Sequence, residues 1–222
     1  MERTITVRGT GKLSLAPDLI TVTLTVHKKD KVYETAMTES ARLQDELRSA
    51  IAAIGFSRED LKTVSFDVRT EYESMRDQNG QYRQVFAGYV CEHQLKLEFD
   101  FDTQRLSEVL TAVSRCVAEP ELYISFSIKD KEKASDELLA SAAKNARAKA
   151  ELLAEASGVE LGVLLSVVYD WMDISFVSPT RYTNGMTKMR GGAEAECCSM
   201  DMGITPENVS LSDSATFIWE IE

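Results

Sequence analysis

Apolar residues along this chain recur with two different periods, and the switches between them outline the fold. In Ile20-Thr21-Val22-Thr23-Leu24-Thr25-Val26 apolar and Thr residues alternate at every second position, as in a strand with one face on a core. Ala16-Pro17-Asp18 just before it reads as a turn, which makes Thr4 to Val7 an earlier, paired strand. The period then lengthens. Ala36, Ser40, Leu43, Leu47, Ala50 and Ile54 are spaced by three and four and predict one apolar stripe on a helix, with Gly55 placed to cap it in the left-handed conformation.

Period two returns at Val64, Phe66, Val68, Thr70 and Tyr72, and Asp77-Gln78-Asn79-Gly80 predicts a hairpin tip. The return strand carries Cys91, His93, Leu95, Leu97 and Phe99 on one face. Asp102 is placed to cap a second helix with Leu106, Val109, Leu110, Val113 and Val117 inward, and Pro120 ends it. Leu122, Ile124, Phe126 and Ile128 alternate as the next strand. Asp130 opens the longest helix, Lys131 to Ala156, about seven turns. Its inner face (Leu138, Leu139, Ala142, Ala146, Ala150, Leu153) is rich in Ala and suits a close approach to a sheet; Gly158 ends it. Val163 to Trp171 reads as an apolar strand, and Ala215, Phe217, Trp219 and Ile221 as the last one.

The predicted order is therefore β-β-α-β-β-α-β-α-β-β. Hairpins outnumber crossovers, which makes the fold α+β: mostly antiparallel sheet with three helices. Within it, Ile20 to Ile128 has the β-α-β-β-α-β order of a ferredoxin-like module. No composition shift marks a linker. Residues 1–222 read as one domain, or as two intergrown α+β subdomains sharing the long hairpin 61–99. Residues 175–205 show no periodic pattern and hold Gly185, Gly191, Gly192 and Gly203, so they read as a long flexible loop.

Composition acts mainly by exclusion. Lys and Arg number 25 against 36 Asp and Glu, a formal net charge of −11, so no nucleic-acid partner is expected, since phosphate backbones call for a basic surface. No stretch approaches about 18 consecutive apolar residues, so no membrane span is predicted. Strand alternation begins at Thr4 with no basic and apolar leader pattern before it, from which a cytoplasmic location is expected. Cys91, Cys116, Cys197 and Cys198 are too few and too scattered for a disulfide scaffold. Asn208-Val209-Ser210 then reads as a chance sequon.

Candidate chemistry is sparse. Gly9-Thr10-Gly11-Lys12 resembles a phosphate loop only superficially, because Thr6 and Leu13 stand where the pattern needs Gly and Ser or Thr; it reads as a turn. His27 closes a Thr-rich strand at its solvent end, and His93 shares a face with Leu95 and Leu97, as a core or edge histidine does. Cys91 on that face packs as a small apolar group unless a neighbour lowers its pKa. Glu98, Asp100 and Asp102 form an alternating acidic trio that a strand running into a helix cap also explains. Lys144, Arg147 and Lys149 make a locally basic helix face, followed by Glu151 and Glu155, and read as solvated surface. Met186, Met189, Cys197, Cys198, Met200 and Met202 collect soft sulfur in the long loop, which suits ions such as Cu(I) or oxidation, although no Cys-x-x-Cys spacing occurs.

Taken together the motifs resemble the SIMPL-domain family. Val7-Arg8-Gly9-Thr10-Gly11 followed by Ala16-Pro17-Asp18 and an alternating strand is similar to its opening, and Leu61-Lys62-Thr63 before a strand ending in Tyr72 to its next segment. Gly88-Tyr89 with Leu95 and Leu97, Asn145-Ala146-Arg147-Ala148-Lys149-Ala150-Glu151 with Leu153-Ala154 and Gly158, and a Met-containing loop before Ile204-Thr205-Pro206 continue the likeness in order. The alternation from Thr4 is read as a departure from the secretory leader of many Gram-negative relatives, and Glu207-Asn208 stands where Pro-Gly is common. The resemblance implies a family without established catalytic residues, some members tied to oxidative-stress defence and some forming ring-like or channel-like oligomers; one branch is associated with a signalling kinase.

The expectation is thus a non-catalytic, self-assembling homo-oligomer with a stress-related role, and no catalytic, cofactor-binding or metal residue is assigned. The alternative is a metal- or redox-responsive protein using the Met/Cys-rich loop 186–202. A hydrolase built on the acidic trio or His93 would need those groups to converge on one cleft.

Overall fold

Residues 3–76, 81–169, 174–184 and 204–222 are described by a computed structural model. The chain forms two compact units, one of residues 1–18, 127–179 and 206–222, the other of residues 19–126 and 180–205. The described strands make two sheets, and three helices accompany them, an α+β architecture in the expected element order with one further strand between the last two.

In the second unit, β2 (Leu19–Asp30), α1 (Tyr33–Ala53), β3 (Lys62–Arg76), β4 (Tyr82–Asp100), α2 (Thr103–Ser114) and β5 (Glu121–Ser127) follow one another. The strand order β3-β4-β2-β5 is the ferredoxin-like arrangement anticipated from the chain order, with β7 (Val177–Asn184) added beside β5. β2 pairs antiparallel with β4 from Leu19↔Asp100 to Asp30↔Tyr89. Its alternation buries Ile20, Val22, Leu24 and Val26 against Leu95, Leu97 and Phe99 of β4, Leu43, Leu47 and Ile51 of α1, and Leu106, Val109 and Val113 of α2. The Asp102 carboxylate caps α2, accepting from Gln104 N at 2.9 Å and Arg105 N at 3.1 Å. At Gly88 a positive φ of 147° and the Asp30 carbonyl, which a Cβ would meet at 2.7 Å, both require glycine.

The first unit joins β1 (Thr4–Leu15), α3 (Lys131–Ser157), β6 (Leu161–Val168) and β8 (Val209–Ile221). The sheet order is β1-β8-β6, and β1 pairs antiparallel with β8 from Thr4↔Glu220 to Leu15↔Val209. α3 presents Ala134, Leu138, Ala142, Ala146, Ala150 and Ala154 as its buried row. Small side chains let its backbone come down onto β1 so closely that a Cβ at Gly9 would collide with the Ala142 carbonyl oxygen and the Ala146 methyl. One at Gly11 would collide with the Leu138 carbonyl oxygen. Around this contact Val7, Ala215, Phe217 and Trp219 form one apolar cluster, with the Phe217 and Trp219 rings stacked at 5.5 Å; Ile128, Leu138, Val209 and Leu211 form another.

Several expectations need correction. Gly9-Thr10-Gly11-Lys12 lies inside β1 and is no turn: the glycines answer to the helix above them, a long-range demand that local pattern does not express. The segment read as patternless from residue 175 contains β7, whose Thr-rich run is interrupted by Pro179. The apolar strand read as Val163 to Trp171 is β6, Leu161–Val168. Val117 and Leu153, placed inward by spacing, are exposed, because α2 stops at Ser114 and the last turns of α3 bury only Ala150 and Ala154. The hairpin tip 77–80 lies outside the described residues.

Replacing Gly11 with Ala forces α3 off β1 and lowers stability by about 3 kcal/mol, as overpacking a closed contact does. Gly158→Ala, at a helix end with φ 69° and open space, costs about 1 kcal/mol from backbone strain alone. Urea unfolding of the two variants measures both, and equal losses would refute the close approach.

Candidate functional site

The alternation of β4 sends Cys91, His93, Leu95 and Leu97 to the side on which α1 packs, and at one end of that layer the lining changes from aliphatic to polar and sulfur-bearing. The Cys91 thiol is fully buried and donates to Met37 Sδ of α1 at 3.8 Å. His93 is 8 % exposed; its Nε2 lies 3.3 Å from Thr63 Oγ1 of β3, and its ring tilts against Phe66 at 5.0 Å. Gln44 of α1 donates to the same Thr63 hydroxyl at 3.4 Å. His93 Nδ1 and Ser40 Oγ of α1 are buried with no hydrogen-bond partner among the described residues. Burial holds the His93 pKa below its ordinary value, and the Arg48 guanidinium acts in the same direction. Burial pushes the Cys91 thiol up. Cys116 is likewise raised, by burial and by Glu46, and its thiol donates to the Ala112 carbonyl at 3.3 Å. Neither cysteine has the electropositive surroundings that make a nucleophile.

The remaining candidates do not join this group. His27 lies on the outer side of β2, 3.7 Å from Glu92 and 3.6 Å from Glu121. The acidic trio is dispersed: Glu98 pairs with Lys96 at 3.1 Å, Asp100 is exposed, and Asp102 caps α2. Lys144 is exposed and Arg147 pairs with Glu151 at 2.9 Å along α3, whereas Lys149 reaches back to donate to the Arg8 carbonyl at 3.2 Å. A hollow of about 400 Å³ beside β1 and β8 is lined by Lys12, Leu13, Ser14, Ser210, Leu211 and Ser212, with Lys12 its one charged group. Among the described residues no three His, Cys, Asp or Glu side chains gather as a metal would need. The sulfur residues Met186, Met189, Cys197, Cys198, Met200 and Met202 lie outside the described residues.

Three features escaped sequence reading. The edge of β1 is capped from α3: the Asn145 Oδ1 accepts from Thr10 N at 3.0 Å, and Lys149 takes the Arg8 carbonyl. Both residues belong to the helix motif that carried the family resemblance. A buried carboxylate, Asp213 on β8, accepts from the Tyr169 hydroxyl at 2.8 Å and from Ser214 N at 2.7 Å, holding the Tyr169 pKa above its ordinary value. Finally, apolar side chains lie open on two strands. On β6, Val163, Leu164, Leu165, Val167 and Val168 are 47–64 % exposed, so both its faces are open. On the β3–β4 hairpin, Val64, Phe66, Tyr72, Met75, Tyr82, Val85 and Phe86 are exposed, and beyond Asp30↔Tyr89 that ribbon has no β2 beside it.

The sequence profile of the SIMPL family, described as a protein of unknown function (DUF541), matches residues 5–219. The chain belongs to the SIMPL family. It is also similar to the "26 kDa periplasmic immunogenic protein" of Brucella abortus (strain S19), with 24% identity over 163 residues, 73% of this SIMPL chain and 65% of that protein's length. The match therefore spans just under two thirds of the relative. A periplasmic relative overturns the cytoplasmic location expected from the first residues: alternation starting at Thr4 describes a strand of the SIMPL fold and carries no information about compartment.

Because the folded His93 pKa is lowered, the native state binds fewer protons there than the unfolded chain. The resulting stability is complete above the unfolded value of about 6.5 and is lost as pH falls from there through the lowered folded value. Urea unfolding between about pH 8 and about pH 5 should show a steeper decline for the native chain than for His93→Gln; parallel slopes would count against the assignment. Tyr169→Phe leaves the Asp213 carboxylate short of a donor and is expected to cost about 1–3 kcal/mol, read in the same way.

Proposed function

We propose that this SIMPL protein is a non-catalytic, self-assembling protein of the periplasm, in which copies of the chain join through β6. The observation that carries the reading is the run Leu161–Val168 itself. It is eight residues long without a charge or a proline, lies at the edge of its sheet, and exposes apolar side chains on both faces. An edge of that kind pairs with another strand unless charge, proline or a covering element blocks it. A second copy of β6 meets each requirement: it offers an equally apolar strand, and pairing across a two-fold axis satisfies both open ladders with one patch. The exposed aromatic ribbon of β3 and β4 is a second apolar surface, since two strands alone are marginally stable in water. Support for a non-catalytic role comes from the dispersal of His27, the acidic trio and Lys12. A stress-related role rests on the family resemblance, and the periplasmic setting on the relative's name.

Light scattering at physiological salt and micromolar concentration is expected to give a mass at least twice the 24.7 kDa of the chain. Leu165→Lys with Val167→Lys should return it to the monomer with the fold intact. A native chain that runs as a strict monomer ends the proposal.

A further inference from the structure

We propose that the polar end of the layer between α1 and β4 is a binding site for a soft monovalent metal ion, Cu(I), held by Cys91 Sγ, Met37 Sδ and His93 Nδ1. This inference is independent of the assembly reading and uses none of the loop residues 186–202.

The spacing of the sulfurs comes first. Cys91 and Met37 are 54 positions apart in sequence, yet their sulfur atoms lie 3.8 Å from one another. Two sulfurs bonded at about 2.3 Å to one d10 ion stand 3.8 Å apart when the angle between them is about 110°, between tetrahedral and trigonal. A small movement of either side chain admits the ion between them.

The histidine supplies the independent observation. His93 is two residues from Cys91 on the same face of β4, 8 % exposed, and its Nδ1 has no hydrogen-bond partner among the described residues. A buried ring nitrogen without a hydrogen bond is costly, and each such case needs a reason. The other nitrogen gives the direction. Nε2 is engaged by Thr63 Oγ1 on β3, which leaves the buried Nδ1, on the other side of the ring, as the nitrogen open to a ligand. A proton on Nε2, donated to the Thr63 hydroxyl, leaves Nδ1 as the unprotonated nitrogen that a metal takes. An outer hydrogen bond on the far nitrogen is how metal-binding histidines are usually fixed. Gln44 donates to the same hydroxyl from α1 and steadies it.

Charge and softness select the ion. Thiolate, thioether and imidazole are ligands that suit Cu(I). On binding, the Cys91 S–H bond breaks, a sulfur–metal bond forms, and the proton leaves to solvent; no electron is transferred. One thiolate and one monovalent cation make a neutral pair, which a buried pocket tolerates. A divalent ion would leave a net positive charge there beside Arg48, whose field already reaches His93. Met37 is only partly buried and gives the ion its way in.

The test is a Cu(I) titration of the full chain under anaerobic, reducing conditions against the competing chelator bicinchoninate. It is run in the native sequence and in a Cys197→Ser/Cys198→Ser background that removes the loop thiols. One Cu(I) per chain is expected to survive in that background. Cys91→Ala and His93→Phe should each weaken it at least tenfold, and Thr63→Val by roughly tenfold through loss of the outer hydrogen bond. Met37→Leu conserves volume at a partly exposed position, so it keeps the fold and still weakens binding. Circular dichroism checks each variant. X-ray absorption of the loaded protein should show sulfur at about 2.3 Å and one nitrogen at about 2.0 Å. Unchanged affinity in Cys91→Ala, complete loss in the loop background, or a shell of oxygen and nitrogen only would each overturn the site. Those results would leave a thiol–thioether contact and a water on His93 as the meaning of the cluster.

Discussion

The first unit is governed by how near a helix backbone can come to a strand backbone. Gly9 and Gly11 of β1 carry no side chain beneath Leu138, Ala142 and Ala146 of α3, and the Ala row leaves nothing to hold the two apart. Once they meet, the polar groups of α3 reach the strand itself. Asn145 takes the Thr10 amide and Lys149 the Arg8 carbonyl, so one short contact organises both the apolar seam and the hydrogen bonds at its border. The β8 residues Ala215, Phe217 and Trp219 fill the wider space to the side. The unit is thus built outward from an absence of side chains.

The second unit follows the opposite rule. Branched and aromatic side chains fill the layer between the sheet and its helices, from Ile20 and Leu24 through Leu97 and Phe99. At the Met37 end the same layer carries Ser40, Cys91 and His93, polar atoms where continued aliphatic packing was available. Such substitutions weaken a core unless they are used, which is the physical reason to read that end as a site.

Much of the architecture was legible because it is local. Period two placed β2 and β4, period 3.6 placed the three helices, and Asp102 and Asp130 marked two of the helix starts. The element order then led to the ferredoxin-like strand arrangement through general rules of chain connection. What stayed hidden depends on distant partners. The glycines of β1 are set by a helix more than a hundred residues away, and Cys91 meets Met37 only through the tertiary register of α1 on β4. Alternation also says which residues share a face and not whether anything covers it: Phe66 and Tyr72 alternate as a strand and are open. Pro179 concealed β7, since proline reads as a break although a short edge strand accepts it.

The tethering of β1 by Asn145 and Lys149 also gives its sheet a polarity of growth. One margin is closed by the protein's own helix, while among the described residues β6 has no strand beyond it at the other margin. In the proposed joint between two copies, each uses up the other's free margin and both outer borders are tethered strands. The sheet of that proposed dimer ends after six strands instead of propagating, so an assembly built on this joint would be finite by construction and guarded against the fibre that an apolar edge would otherwise seed.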